Sequence, residues 1–144
     1  MKGETGAAGA VAMPLLATLT MPVRWRDLDA FDHVNNASYL TYLEEARLHW
    51  FGQIGGPWSS DTAAPVVAAV HANYRRQLNW PAQLVVELYC ERLGNTSLTI
   101  AYRIADAADN GVIYADGTTV MVWIDSTIGK PVGLPDAIRR ACAK

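Results

Sequence analysis

The chain is expected to fold as an α+β domain, one long helix packed on an antiparallel sheet, and three observations carry that expectation. Between Asn36 and Ile54 apolar residues return every three or four positions, the period of a helix with one buried face. From Val66 to Ile124 they return every second position, the period of a strand. Gly94-Asn95 and Asn110-Gly111 interrupt the alternating runs as hairpin turn signals, so consecutive strands run antiparallel.

Residues 1–13 are small and rich in Gly and Ala and are expected to form a flexible tail, with 14–144 as a single domain. The apolar stretch from Ala10 to Val23 has some likeness to a secretory leader. Glu4 spoils the basic start and Pro14 interrupts the run, so a cytoplasmic location is the expectation. No stretch approaches the roughly 18 unbroken apolar residues of a membrane-spanning helix. Leu15 to Arg26 mixes Leu, Thr, Val and Trp without helical period and reads as the first strand. Arg26 to Asn36, RDLDAFDHVNN, is then a polar loop. Leu40, Leu43, Trp50, Phe51 and Ile54 mark the apolar face of a helix of about five turns, with Asn35 or Asn36 as its N-cap and Gly55-Gly56-Pro57 as its stop. Four strands follow, through Val66–Tyr74, Leu84–Glu91, Leu98–Ile104 and Thr118–Ile124, and Pro135 to Ala143 closes as a short helix.

About half of the 144 residues are apolar, enough for one compact core. A monomer of this size buries roughly 70% of the surface its unfolded chain exposes, which leaves room for a self-association face. The net charge is −2 and the basic residues are scattered, so nucleic acid is not expected as a partner. Cys90 and Cys142 lie far apart without a C-x-x-C or Cys/His pattern, which argues against a disulfide framework or a structural zinc site.

The chemistry concentrates in the loop before the helix. Part of it is explained by capping, because Asp and Asn satisfy the unpaired N–H groups of a first helical turn. Capping leaves His33 and the pair Asp27 and Asp29 unexplained. A calcium loop would need a turn glycine and a bidentate Glu, and Ser38 stands where that Glu belongs. A zinc site would need a second His or Cys nearby in sequence. A hydrolytic site needs only a carboxylate and a helix start whose N–H groups stabilise an oxyanion, and the loop has both.

These residues also carry a family resemblance. RWRDLDAFDHVNNASYLTYLEEAR, from Arg24 to Arg47, resembles the signature of the hotdog-fold acyl-CoA thioesterases of the 4-hydroxybenzoyl-CoA thioesterase-like group. It is most similar to the fatty-acyl members, with D-x-x-x-HVNN-x-x-Y followed by E-E-A-R. NYRRQLNWPAQLVVE, from Asn73 to Glu87, extends the resemblance over most of the chain beyond the tail. The resemblance implies a hotdog fold, a long central helix wrapped by a curved antiparallel sheet. It further implies a homodimer or homotetramer whose subunits pair edge to edge, with active sites between them. The activity it implies is hydrolysis of an acyl-CoA to a carboxylic acid and coenzyme A, with coenzyme A as part of the substrate and no metal or other cofactor.

By the same resemblance Asp29 is the catalytic carboxylate, as nucleophile or as base for water. The Asn36 backbone N–H is the oxyanion donor. His33 is a hydrogen-bond partner or proton shuttle, against the plain alternative of a bond to a backbone carbonyl. Asn35 organises the loop or donates to the reaction centre. Asp27 and Asp32 read as solvated loop charges. Arg47 falls inside the apolar helix face and calls for Glu44, one turn back, as its partner. Glu45 points elsewhere and is the reserve catalytic base. Arg75 and Arg76 are either exposed strand-end charges or contacts for the coenzyme A phosphates. Phe31, Tyr39, Trp50 and Trp58 either line an acyl pocket or belong to the core. Two other functions stay open: a hotdog dehydratase acting on hydroxyacyl thioesters, and a non-catalytic acyl-thioester sensor.

Overall fold

A computed structural model describes residues 12–143. The expected tail, 1–13, falls almost wholly outside them. In chain order the elements are β1 (Leu15–Pro22), a 3-10 turn (Trp25–Asp27), α1 (Asn36–Gln53), β2 (Ala64–Tyr74), β3 (Gln83–Leu93), β4 (Ser97–Asp106), β5 (Ile113–Asp125), β6 (Lys130–Pro131) and α2 (Asp136–Cys142). The fold is α+β, with an antiparallel sheet ordered β1-β3-β4-β5-β2 and the two-residue β6 added to one end of β5.

The hairpin signals act as expected: Leu93 pairs with Leu98 across Gly94-Asn95, and Ala105 pairs with Ile113 across Asn110-Gly111. Alternation then puts Leu84, Val86, Leu88 and Cys90 of β3 on the same inner face as Leu98, Ile100, Tyr102 and Ile104 of β4. The inner residues of β3 meet α1, which also packs on β1 and presents Tyr42, Leu43, Ala46, Trp50 and Phe51. Gly117 of β5 is required by a close approach. A Cβ there would collide with the His71 carbonyl oxygen, the atom that accepts a 2.8 Å hydrogen bond from the Tyr102 hydroxyl.

Four details depart from expectation. The first strand stops at Pro22 rather than Arg26, because the chain folds into a 3-10 turn closed by a 2.9 Å bond from the Asp27 N–H to the Arg24 carbonyl. Leu40 is off the buried face of α1, 45% exposed beside Val67 and Val70. Ile54 lies one residue past the helix as its C-cap, half-buried yet packed against the core. The alternation of β2 does not produce a buried face: Val66 to His71 are all exposed, and a bulge falls between Val67 and Ala69. The reason is cover: α1 packs chiefly on β1 and β3, while β2 pairs only with β5 at the far edge of the sheet, and among the described residues its other edge is unpaired.

Candidate active site

The loop between β1 and α1 is built around Asp27. The Arg24 N–H donates to its Oδ2 at 2.9 Å and the Tyr42 hydroxyl at 2.7 Å, while Arg24 Nη2 lies 3.4 Å from Oδ1. Asp27 is 5% exposed, so the expectation of a solvated charge is wrong here. The Tyr42 hydroxyl, a full loop away, draws the carboxylate inward. Burial pushes the Asp27 carboxyl up, but the bonds from Arg24 and Tyr42 outweigh it and hold the group below its ordinary value. Burial and the negative Asp27 push Tyr42 well above the usual phenol range.

Asp29 stands two residues on and faces the other way. The Phe31 N–H donates to Oδ1 at 2.9 Å and the Asn35 side-chain amide to Oδ2 at 3.1 Å. The same Asn35 caps α1: its Oδ1 accepts from the Ala37 N–H at 2.8 Å. Asn35, not Asn36, is therefore the N-cap, and one side chain ties the helix start to the carboxylate. Asn36 is the first residue of the helix, and its N–H makes no hydrogen bond among the described residues. Its carbonyl accepts from the Tyr74 hydroxyl at 3.2 Å. A turn with Asp32 at φ 67° reverses the chain so that the Asp29 N–H reaches the His33 carbonyl at 3.1 Å.

Asp29, His33, Asn35 and Asn36 all line one open cavity of about 480 Å³, and Arg75 and Arg76 stand at its wall. The two arginines are not equivalent. Arg75 is spent on Asp116, with Nη2 at 2.9 Å from Oδ1 and Nε at 3.2 Å from both oxygens. The Arg76 side chain has no such partner among the described residues. Phe31 and Tyr39 line the cavity too; burial above all, with Tyr74 and Tyr114 adding to it, pushes the Tyr39 phenol up to about 12, so it stays neutral. Trp50 and Trp58 do not reach the cavity. Trp50 is core, and Trp58 stacks on Phe51 with ring centroids 4.3 Å apart.

Glu45 is also elsewhere, in a separate depression with Met21, Pro22, Arg24 and Tyr42. Arg47 is buried as expected and burial lowers it, with Glu44 opposing that shift, yet no ion pair joins the two among the described residues. No three His, Cys, Asp or Glu side chains converge as a metal-ligand set among the described residues.

Sequence reasoning missed Asn79, Tyr74 and Tyr42. The Asn79 Oδ1 lies 2.6 Å from His33 Nδ1, although the two are 46 positions apart. Val34 N–H to Leu78 carbonyl, 2.8 Å, pins the same two loops together. Only the polar Asn before Trp80-Pro81 marked the place, and nothing in its spacing names a partner.

Known proteins share this chain's pattern. Residues 23–142 match the thioesterase-like superfamily. The long-chain acyl-CoA thioesterase FadM of Escherichia coli (strain K12) is 32% identical over 121 residues, 81% of this chain and 89% of that protein. A solved structure of a candidate acyl-CoA thioesterase from Xanthomonas campestris is 50% identical, covers 83% of this chain and 98% of its own, and superposes with a TM-score of 0.75. A thioesterase of Thermus thermophilus, solved in complex with coenzyme A and Zn, is 33% identical, with 92% and 100% coverage and a TM-score of 0.76.

Proposed function

The chain belongs to the thioesterase-like superfamily of thioester hydrolases, and from that premise we propose that it splits an acyl-CoA into a free carboxylic acid and coenzyme A. One observation carries the reading: the Asp29 carboxylate and the unpaired Asn36 N–H share a cavity at the start of α1. A thioester carbonyl between them meets an attacking group on one side and an oxyanion donor on the other. Asp29 either attacks the carbonyl carbon, expelling coenzyme A and leaving a mixed anhydride that water opens, or draws a proton from an attacking water. The Asn36 N–H holds the developing oxyanion, a contribution of about 3 kcal/mol where such donors have been removed. Arg76 at the cavity wall suits a coenzyme A phosphate. No metal or further cofactor takes part in this scheme.

Within the superfamily the D-x-x-x-HVNN pattern at Asp29 to Asn36 supports the fatty-acyl subgroup and its wrapped-helix hotdog arrangement. Two copies pair through β2: its unpaired edge and the exposed Leu40, Val66, Val67 and Val70 beside it fit a second copy, closing over the cavity. Sedimentation of the full chain as a dimer or tetramer, with Val67→Lys shifting it to monomer, is the expected result; a wild-type monomer overturns the pairing.

The test is release of free thiol from aliphatic and aromatic acyl-CoAs, long-chain acyl-CoA first, with Asp29→Asn in parallel. Turnover that collapses in the variant supports the reading. Tight acyl-CoA binding without hydrolysis by the wild-type chain refutes it and favours a sensor.

A further inference from the structure

His33 forms a wall shared by two cavities, the one containing Asp29 and a second of about 450 Å³ lined by Trp25, Leu28, Asp32, Asn79 and Trp80. Its Nδ1 is engaged at 2.6 Å by the Asn79 Oδ1. An amide oxygen has lone pairs and no proton, so the bond requires the hydrogen to sit on Nδ1. In a neutral imidazole the lone pair is then on Nε2.

We propose that Asn79 is a positioning residue which holds His33 in the Nδ1–H form, so that Nε2 acts as the proton acceptor when water opens an acyl-Asp29 anhydride. The inference rests on the thioesterase reading for its chemistry and selects between its two routes. While Asp29 is acylated it has no free carboxylate with which to deprotonate water. Water's oxygen bonds to the acyl carbon and one of its protons passes to Nε2. The bond from the acyl carbon to the Asp29 oxygen breaks, which restores the carboxylate and releases the carboxylic acid. The imidazolium then gives its proton to solvent. The titratable and charged groups lining the two cavities with His33 are Asp29, Asp32, Tyr39, Tyr74, Arg75 and Arg76. The positive charge of Arg75 is already offset by Asp116.

The first readout needs no substrate. Nitrogen-15 NMR of the full chain labelled at its three histidines, assigned with a His33→Gln sample, reports which ring nitrogen carries hydrogen. The expected result is a pyrrole-type Nδ1 and a pyridine-type Nε2 at His33, and a shift toward the Nε2–H form in Asn79→Ala. The second readout is pre-steady-state coenzyme A release. Asn79→Ala should keep a rapid burst of one equivalent and then turn over about 10- to 100-fold more slowly, with KM for acyl-CoA falling or unchanged. Asn79→Asp, which keeps an acceptor, should retain the tautomer and most of the turnover. An Nε2–H form in the wild-type chain, an unchanged tautomer in Asn79→Ala, or unchanged turnover in that variant would overturn the proposal. If the Nδ1–H form is present but no acyl-CoA is hydrolysed, the thioesterase reading fails while the hold of Asn79 on His33 stands.

Discussion

Asp27 and Asp29 are two residues apart on one loop and have opposite surroundings. Asp27 is buried under Tyr42 and Arg24: its bonds to Arg24 close the 3-10 turn, and its bond from Tyr42 ties that turn to the helix. Asp29 keeps a face to an open cavity and receives just enough donors, Phe31 N–H and the Asn35 amide, to hold its orientation. Identical side chains have been divided into one sealed in the fold and one open to a cavity by what stands above them. Burial with full hydrogen bonding suits a carboxylate that must never change partner, and partial exposure suits one that must.

The sharpest way to break this division is to remove each carboxylate in turn. Asp29→Asn should lower turnover by about 10²- to 10⁴-fold and leave the unfolding free energy within about 0.5 kcal/mol of wild type, read by thiol release and urea titration. Asp27→Ala should do the reverse, costing about 3 kcal/mol of stability because the buried Tyr42 hydroxyl and Arg24 N–H lose their acceptor. Equal losses of activity and stability in both variants would erase the distinction. Tyr42→Phe sharpens it at lower cost, about 1 kcal/mol by urea titration, with turnover retained. Asn35→Ala crosses the boundary, since it serves both regions: about 1 kcal/mol from the lost N-cap, together with a several-fold drop in turnover from a loosened Asp29.

The smallest effect concerns pH. The folded Asp27 carboxyl lies below its ordinary 3.8, so its contribution is complete above that value and is lost as pH falls through the depressed folded value. Acid titration of stability should therefore show a limb below about pH 4 that flattens in Asp27→Asn. An unchanged limb would mean that other carboxylates dominate acid unfolding.

The sequence was most legible where the determinants are local. Asn35 caps a helix from two residues away, and Asn110-Gly111 turns a hairpin within its own span, so both could be read directly. The polar loop before α1 stood out as a candidate for the same reason, and its residues line a cavity. What stayed hidden depends on residues brought together by folding. Nothing near Asp27 in sequence says that Tyr42 will cover it, and nothing near His33 points to Asn79. The exposure of β2 was hidden differently: Val66 to Tyr74 alternates like an inner strand, and only the strand order makes it an edge. Leu40 faces outward as part of that same edge surface.

The sheet order also sets a timetable. Strands β3, β4 and β5 are joined by tight hairpins, so Leu93 finds Leu98 and Ala105 finds Ile113 after closing short loops. Strands β1 and β2 flank this meander and must close long ones, as in the pairs Leu15 with Tyr89 and Ala64 with Ile124. The loop bearing Asp29 follows β1, and the segment bearing Arg76 and Asn79 follows β2. Both walls of the cavity should therefore arrive with the late strands, making a late-formed cavity the expected outcome. Weakening the Asn110-Gly111 turn should slow folding in stopped-flow refolding, whereas Asp27→Ala should chiefly speed unfolding. The reverse pattern would place the cavity loops in the folding nucleus.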